Sequence, residues 1–162
     1  MTLSVLRTAE GWWIQKGDNA VKVDTAAATT KELLADRAAL EAARDGAATV
    51  AVATLALLSP VTKPCRVVAQ MTNFASHVRD SGMDPDATPL TFFRKSSASV
   101  SGPLDPIVKP EHVRFLDYEV EIGLVLGRDI PVGTTISERE LPGCIAGLVV
   151  TNDVSARDIQ LP

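Results

Sequence analysis

Cysteine is almost missing from this sequence, with Cys65 and Cys144 the only two among 162 residues. Two thiols so far apart match neither a metal-binding spacing nor a disulfide framework, and a reduced, cytoplasmic setting is the expectation. Basic charge is also short. Sixteen Lys and Arg against 20 Asp and Glu give a net charge of −4 and a pI near 5.1, which argues against a nucleic-acid or anionic-membrane surface. The longest apolar run, Ala47 to Leu58, is rich in Ala and Thr and is too short to span a bilayer, which needs about 20 residues. The N-terminus "MTLSVLRTAEGWWIQ" has no basic segment leading into an apolar one, so it is not a signal peptide.

What remains is a chain that is 46% hydrophobic, long enough for one domain or a domain with a small appendage. Residues 1–60 form the appendage. "LSVLR", "GWWIQ" and "AVKV" predict short strands, and Thr29 with Glu32 has the spacing of a capping box opening a helix that ends near Gly46. Leu33 and Leu40 share a face of that helix, with Arg37 between them. Trp12 and Trp13 are expected in the core rather than on a ligand platform. "LLSPVTKP" reads as a linker punctuated by Pro60 and Pro64.

Residues 61–162 are β-rich. "CRVVAQ", "LTFFRK", "LDYEVEIGLVLG" and "CIAGLVVTND" predict strands, all but "LTFFRK" reading as buried, and "SSASVSGPLDPIVKP" a long loop. Ser137 and Glu140 repeat the capping-box spacing in the connection before the last of these strands. The fold class expected is α+β. In "LDYEVEIGLVLG", Leu116, Tyr118, Val120, Ile122, Leu124 and Leu126 alternate on one face, and Glu119 and Glu121 stand on the other. Carboxylates at i and i+2 on a strand point the same way, roughly 7 Å apart. If the face is wet their repulsion costs little; if it is covered, a proton or a cation must lie between them. Both alternatives fit the pair by itself.

Asp153 adds a third acid at the end of the strand "GLVVTND". Three carboxylates without His or Cys make an all-oxygen donor set, suited to Mg²⁺, Mn²⁺ or Ca²⁺ and unsuited to zinc. His77 precedes Asp80 by one helical turn; such a pair is either an ordinary surface ion pair or a general base oriented by a carboxylate. Arg94 and Lys95, after "TFF", either meet a substrate anion or end a strand in solvent. His112 is expected at the surface.

Together these segments resemble the fumarylacetoacetate hydrolase family from about Leu57 to Pro162. "LDYEVEIGLVLG" is similar to that family's strand with two metal-binding glutamates, "TNDVSARDIQ" to its third-ligand motif, "NFASHVRD" to its histidine turn, and "FFRKSSASVSGPLDPIVKP" to its phenylalanine-lysine loop. Residues 1–60 resemble the small N-terminal domain many members carry. The resemblance implies a β-rich mixed-sheet roll, of which residues 61–162 are the N-terminal portion. It implies a divalent cation on Glu119, Glu121 and Asp153, His77 as general base with Asp80 beside it, and Arg157, Gln160 and Lys95 toward the substrate. Asp80 stands where the family has a glutamate, Phe74 where it has a tyrosine and Met71 where it has a glycine.

The activity implied is metal-dependent hydrolysis of a C–C bond in an acylpyruvate-like dioxo acid, as in aromatic catabolism. The alternatives are decarboxylation or isomerisation of a 2-oxo acid, and a non-catalytic metal- or ligand-binding chain. A homo-oligomer, such as a dimer, is expected, with no nucleic-acid or membrane partner. Because the strands at 116–126 and 144–153 are almost wholly apolar, cover is expected on each face. The rest of the roll is therefore expected as a separate chain or segment packed on residues 116–162, with Pro162 in an exposed, cleavable loop.

Overall fold

The structure, a computed structural model, describes residues 2–160; Pro162 lies outside them. The chain packs as two compact units, Met1–Asp105 and Pro106–Pro162, and the boundary expected at residue 60 falls inside the first. The class is α+β, with little helix and every described strand pair antiparallel.

The first unit opens with a four-stranded sheet in sequence order: β1 (Ser4–Thr8), β2 (Gly11–Lys16), β3 (Asn19–Lys22) and β4 (Val50–Ala51). The β2–β3 turn needs a positive φ at Gly17, +59°, where a side chain would be strained. Helices α1 (Thr30–Ala35) and α2 (Arg37–Asp45) follow. The predicted capping box is present: Glu32 N–H donates to Thr29 Oγ1 at 3.2 Å, and Thr29 N–H donates to Glu32 Oε2 at 2.8 Å. The single predicted helix is in fact two. Asp36 leaves helical geometry (φ −85°, ψ 67°) because its carboxylate accepts Thr25 Oγ1 at 2.6 Å and caps α2 through Ala39 N–H at 3.2 Å.

That break lets both helices present a leucine inward. Leu33 and Leu40 are 1% and 4% exposed, in a cluster with Trp12, Ile14, Val23 and Ala43. Burying each larger side chain contributes about 1.5–3 kcal/mol. Adjacent strand residues point to opposite faces, yet Trp12 and Trp13 are both buried. Trp12 Nε1 donates to the Ala27 carbonyl at 2.8 Å and Trp13 Nε1 to Thr8 Oγ1 at 3.1 Å. Both are core residues, as expected.

Further along the first unit, β5 (Val67–Gln70) pairs with β6 (Phe92–Lys95). The sequence predicts a buried β5; instead one face is open, with Val68 and Phe92 exposed. Helix α3 (Ala75–Asp80) lies between them in sequence and is anchored by buried Val78. Asn73 steadies its approach, donating to the Thr91 carbonyl at 2.8 Å and accepting from Thr91 N–H at 2.9 Å.

The second unit is built on β8 (Val120–Leu126) and β9 (Ile145–Asn152), joined at β7 (Leu116–Asp117) and β10 (Ser155–Ala156) by a second short pair, with α4 (Arg157–Gln160) after it. Cover for both faces is expected from a separate chain or segment, and within the described residues one face is open. Tyr118, Val120, Ile122, Leu124 and Leu126, with Leu148 and Val150 of β9, are all more than half exposed. The half-buried side chains are those of the other face, Glu119, Glu121 and Val125. Alternation gives each strand an apolar face but does not supply the layer that covers it, and no described residue of this unit covers it. On the half-buried face the strands pack tightly at Gly123, where an added Cβ would come within 2.9 Å of Val149 Cγ1. Cys144, fully buried, accepts a hydrogen bond from Arg128 Nη2 at 3.1 Å. Among the described residues no helix is long and apolar enough to cross a membrane.

Candidate functional site

The β8–β9 register pairs Val120 with Asn152 and Glu121 with Thr151. Asp153 N–H donates to the Glu119 carbonyl at 2.8 Å, which carries the ladder one residue further. Directly opposed residues of antiparallel strands share a face. Glu119, Glu121 and Asp153 therefore stand at one corner of one face. Asn152 Oδ1 accepts from Glu119 N–H at 3.1 Å and steadies the corner.

Just beyond Asp153 the chain turns back. Ser155 pairs with Asp117 and Ala156 with Leu116. Arg157 N–H donates to the Phe115 carbonyl at 3.0 Å, which brings the Arg157 side chain over the acids. Its Nε donates to Asp117 Oδ2 and its Nη2 to Glu119 Oε2, both at 3.0 Å, and Nη1 donates to Gln160 Oε1 at 2.9 Å. Ser155 Oγ donates to Glu119 Oε1 at 2.7 Å. Asp158 fastens the start of α4, accepting Arg114 N–H at 2.9 Å and Phe115 N–H at 3.1 Å.

These bonds set the electrostatics. Partial burial pushes Glu119 upward, but the hydrogen bonds from Ser155 and Arg157 outweigh it and hold the carboxylate below the ordinary glutamate range. The bonds to Asp117 and Glu119 raise Arg157. The Arg114 and Phe115 amides lower Asp158, against a smaller opposing effect of burial.

The sequence predicts that Glu119, Glu121 and Asp153 converge on one cation. Among the described residues no group of three His, Cys, Asp or Glu side chains is gathered closely enough to hold a metal ion. The backbone assembles the corner, but Glu119 spends both carboxylate oxygens on Ser155 and Arg157. The donor set still fits a hard divalent cation in chemistry: three carboxylates on one face, one oxygen of Asp153 fully shielded from solvent. Filling it requires the three carboxylates to draw closer together than they stand here.

Asp117, Ser155 and Asp158 are parts of the corner that the sequence reading passed over. For Asp117 the signal was present, since Asp117, Glu119 and Glu121 alternate and so share a face. Ser155 and Asp158 lie inside the "SARD" stretch, but the bonds they make depend on the pairing of β7 with β10.

His77, Asp80 and Lys95 belong to the first unit. His77 and Asp80 are both exposed on α3. The His77 carbonyl accepts Ser81 N–H at 3.1 Å and Ser81 Oγ at 3.0 Å, and no direct hydrogen bond or ion pair joins the His77 and Asp80 side chains. Lys95 Nζ lies 5.9 Å from the centre of the Phe93 ring. His112 is exposed, as expected. A shallow hollow of about 200 Å³ in the first unit, lined by Leu3, Arg37, Leu40, Glu41 and Arg44, contains none of the candidate residues.

Residues 66–162 match the family model described as fumarylacetoacetate (FAA) hydrolase, C-terminal. The rat protein named oxaloacetate tautomerase Fahd2a, mitochondrial, is 36% identical over 104 residues, 64% of this chain and 32% of its own length. The cattle protein named oxaloacetate tautomerase FAHD2A, mitochondrial, is 38% identical over the same shares. The match thus spans about a third of these curated relatives. A solved structure from Mycobacterium smegmatis, of a protein provisionally called HpcE, superposes with a TM-score of 0.75 at 28% identity, over 98% of this chain and 57% of that one.

Proposed function

The chain belongs to the fumarylacetoacetate hydrolase family, and from that premise we propose that its carboxylate corner serves the enolisation of a 2-oxo acid of the oxaloacetate type. The observation that carries this is the corner itself: Glu119, Glu121 and Asp153 on one face, with Arg157 and Gln160 beside them. Glu119, Glu121 and Asp153 are the residues that would hold a divalent cation, with Mg²⁺ or Mn²⁺ the ions of choice. When bound, such a cation supplies Lewis-acid polarisation of the substrate's carbonyl. Arg157 offers a planar, bidentate donor for a substrate carboxylate, and Gln160 adds an amide that can orient the same group.

Tautomerisation and C–C hydrolysis share the enol but differ in what they demand of His77. Hydrolysis needs an imidazole held firmly enough to aim a water at the distal carbonyl. Tautomerisation needs a group that moves a proton between carbon and oxygen. An exposed His77 with no bond to Asp80 suits the second task better, and the names of the rat and cattle relatives favour it too. Hydrolysis of an acylpyruvate is the second reading, supported by the family itself. The open apolar face of β8 and β9 further supports a working protein in which this face is covered. We propose that the cover is polypeptide equivalent to the part of the solved relatives that this chain does not match.

The test follows enol–keto exchange of oxaloacetate by ultraviolet absorbance, and acylpyruvate cleavage in parallel, with and without Mg²⁺. Faster exchange with Mg²⁺ and no cleavage supports the tautomerase reading. Cleavage without faster exchange replaces it with the hydrolase. Absence of both activities overturns the proposal.

A further inference from the structure

We infer that Asp117 is a positioning residue: it pins Arg157 by the inner nitrogen of the guanidinium, so that the two outer nitrogens meet the carboxylate of the substrate. The inference rests on the 2-oxo acid reading of the corner and names the residue that aims its anion-binding arm.

The strand register gives Asp117 this place. Ser155 lies opposite Asp117 in the β7–β10 pair, and the bond from Arg157 N–H to the Phe115 carbonyl carries that pairing on to Arg157. Arg157 is therefore the diagonal neighbour of Asp117 on one face, within reach of a long side chain. Asp117 is itself held. Its Oδ1 accepts Tyr118 N–H and its Oδ2 accepts Arg157 Nε–H, both at 3.0 Å. One carboxylate thus ties the guanidinium to the backbone of β7.

Nε is the nitrogen nearest the stem, so a bond there fixes the plane of the guanidinium while Nη1 and Nη2 point away. Glu119 takes one N–H of Nη2 and Gln160 one of Nη1. Among the described residues these bonds use three of the five N–H groups, and each outer nitrogen keeps one more to offer. A planar pair of donors is what a carboxylate accepts in two-pronged fashion. Arg157 is 27% exposed, so a ligand can reach it. An unpinned arginine gives up its rotamer freedom when it binds; one pinned by Asp117 has given it up beforehand. Asp117 does not help the substrate by its charge, because a carboxylate beside a bound anion repels it. A positioning role and a purely electrostatic one therefore carry opposite signs.

The test is a cycle of four proteins, unsubstituted, D117A, R157A and D117A/R157A, in steady-state enol–keto exchange of oxaloacetate at fixed Mg²⁺. The rotamer freedom of one arginine corresponds to about 30-fold in binding, and the lost repulsion offsets part of it. D117A should therefore raise KM by about tenfold, with kcat within about threefold. In the R157A background the same substitution should leave KM unchanged or lower it, since no guanidinium remains to be aimed. A rise of equal size in both backgrounds marks a merely structural role and overturns the inference, as does an unchanged or lower KM in D117A itself. Nitrogen-15 NMR of the Arg157 Nε–H needs neither turnover nor R157A. That proton should exchange with water slowly in the unsubstituted protein and faster in D117A; equal rates overturn the inference. If D117A does not fold, D117N is measured in its place: faster Nε–H exchange is expected, and unchanged exchange overturns the inference. If the unsubstituted protein catalyses no enol–keto exchange, the reading of the corner falls and the inference with it. Every other adverse result leaves that reading standing.

Discussion

Charging the open face of β8 and β9 should abolish self-association of this chain while leaving its fold nearly untouched. Ile122 and Val150 oppose each other across the two strands and are 74% and 76% exposed. In I122K/V150E the new side chains form an opposite-charge cross-strand pair. Such pairs contribute roughly 0.2–1 kcal/mol, enough to offset much of the lost β-propensity, so the stability of the chain should change by no more than about 1 kcal/mol. Association is a different matter. Tyr118, Val120, Ile122, Leu124, Leu126, Leu148 and Val150 each expose between 53% and 76% of their surface. Covering that remainder contributes roughly 1–2 kcal/mol per side chain, on the order of 10 kcal/mol for the face. Two copies cover two such faces, about 20 kcal/mol in all; with roughly 12 kcal/mol lost in freedom on association, the surplus of about 8 kcal/mol corresponds to micromolar association. Two charges forced into the apolar contact cost several kcal/mol each, which exceeds any surplus. Sedimentation velocity over a micromolar concentration series, with urea melts alongside, makes the comparison. The unsubstituted chain should sediment faster as concentration rises, and I122K/V150E should remain monomeric with a similar urea midpoint. A variant that unfolds, losing more than about 3 kcal/mol, would show that the face is already covered within the chain and refute the reasoning.

Two further outcomes are expected. H77A should lower enol–keto exchange by about 10²- to 10⁴-fold, the usual weight of a proton-transfer group, with Mg²⁺ affinity by calorimetry unchanged within twofold; an unchanged rate would remove His77 from the reaction. Glu119 and Asp158 both titrate below their ordinary ranges, so the stability they contribute is present above their unfolded-state values, near 4, and is lost as pH falls through the lower native ones. The protection factors of β8 and β9 amides, corrected for the intrinsic pH dependence of exchange, should therefore fall as the pH drops below about 4, and less steeply in E119Q than in the unsubstituted protein. Tryptophan fluorescence will not follow this step, because Trp12 and Trp13 lie in the first unit.

Sequence alone determined whatever depends on near neighbours. Period-two alternation identified β8, because successive strand side chains must point to opposite faces, and short apolar runs bounded by turn residues identified β1, β2, β3 and β9. Thr29 and Glu32 fixed the start of α1, because the reciprocal bonds of a capping box span only three residues. The acids at 119 and 121 had to share a face for the same local reason, and motif order carried the family. Tertiary structure alone decided what depends on distant partners. Thr25 draws Asp36 out of helical geometry and makes two helices of one. The return of β10 onto β7 brings Arg157 over Asp117 and Glu119, so that a predicted ligand is held by a guanidinium. The apolar face of β8 is open although its pattern reads as buried. Alternation records which residues avoid water together, while burial requires a second layer that no local pattern encodes.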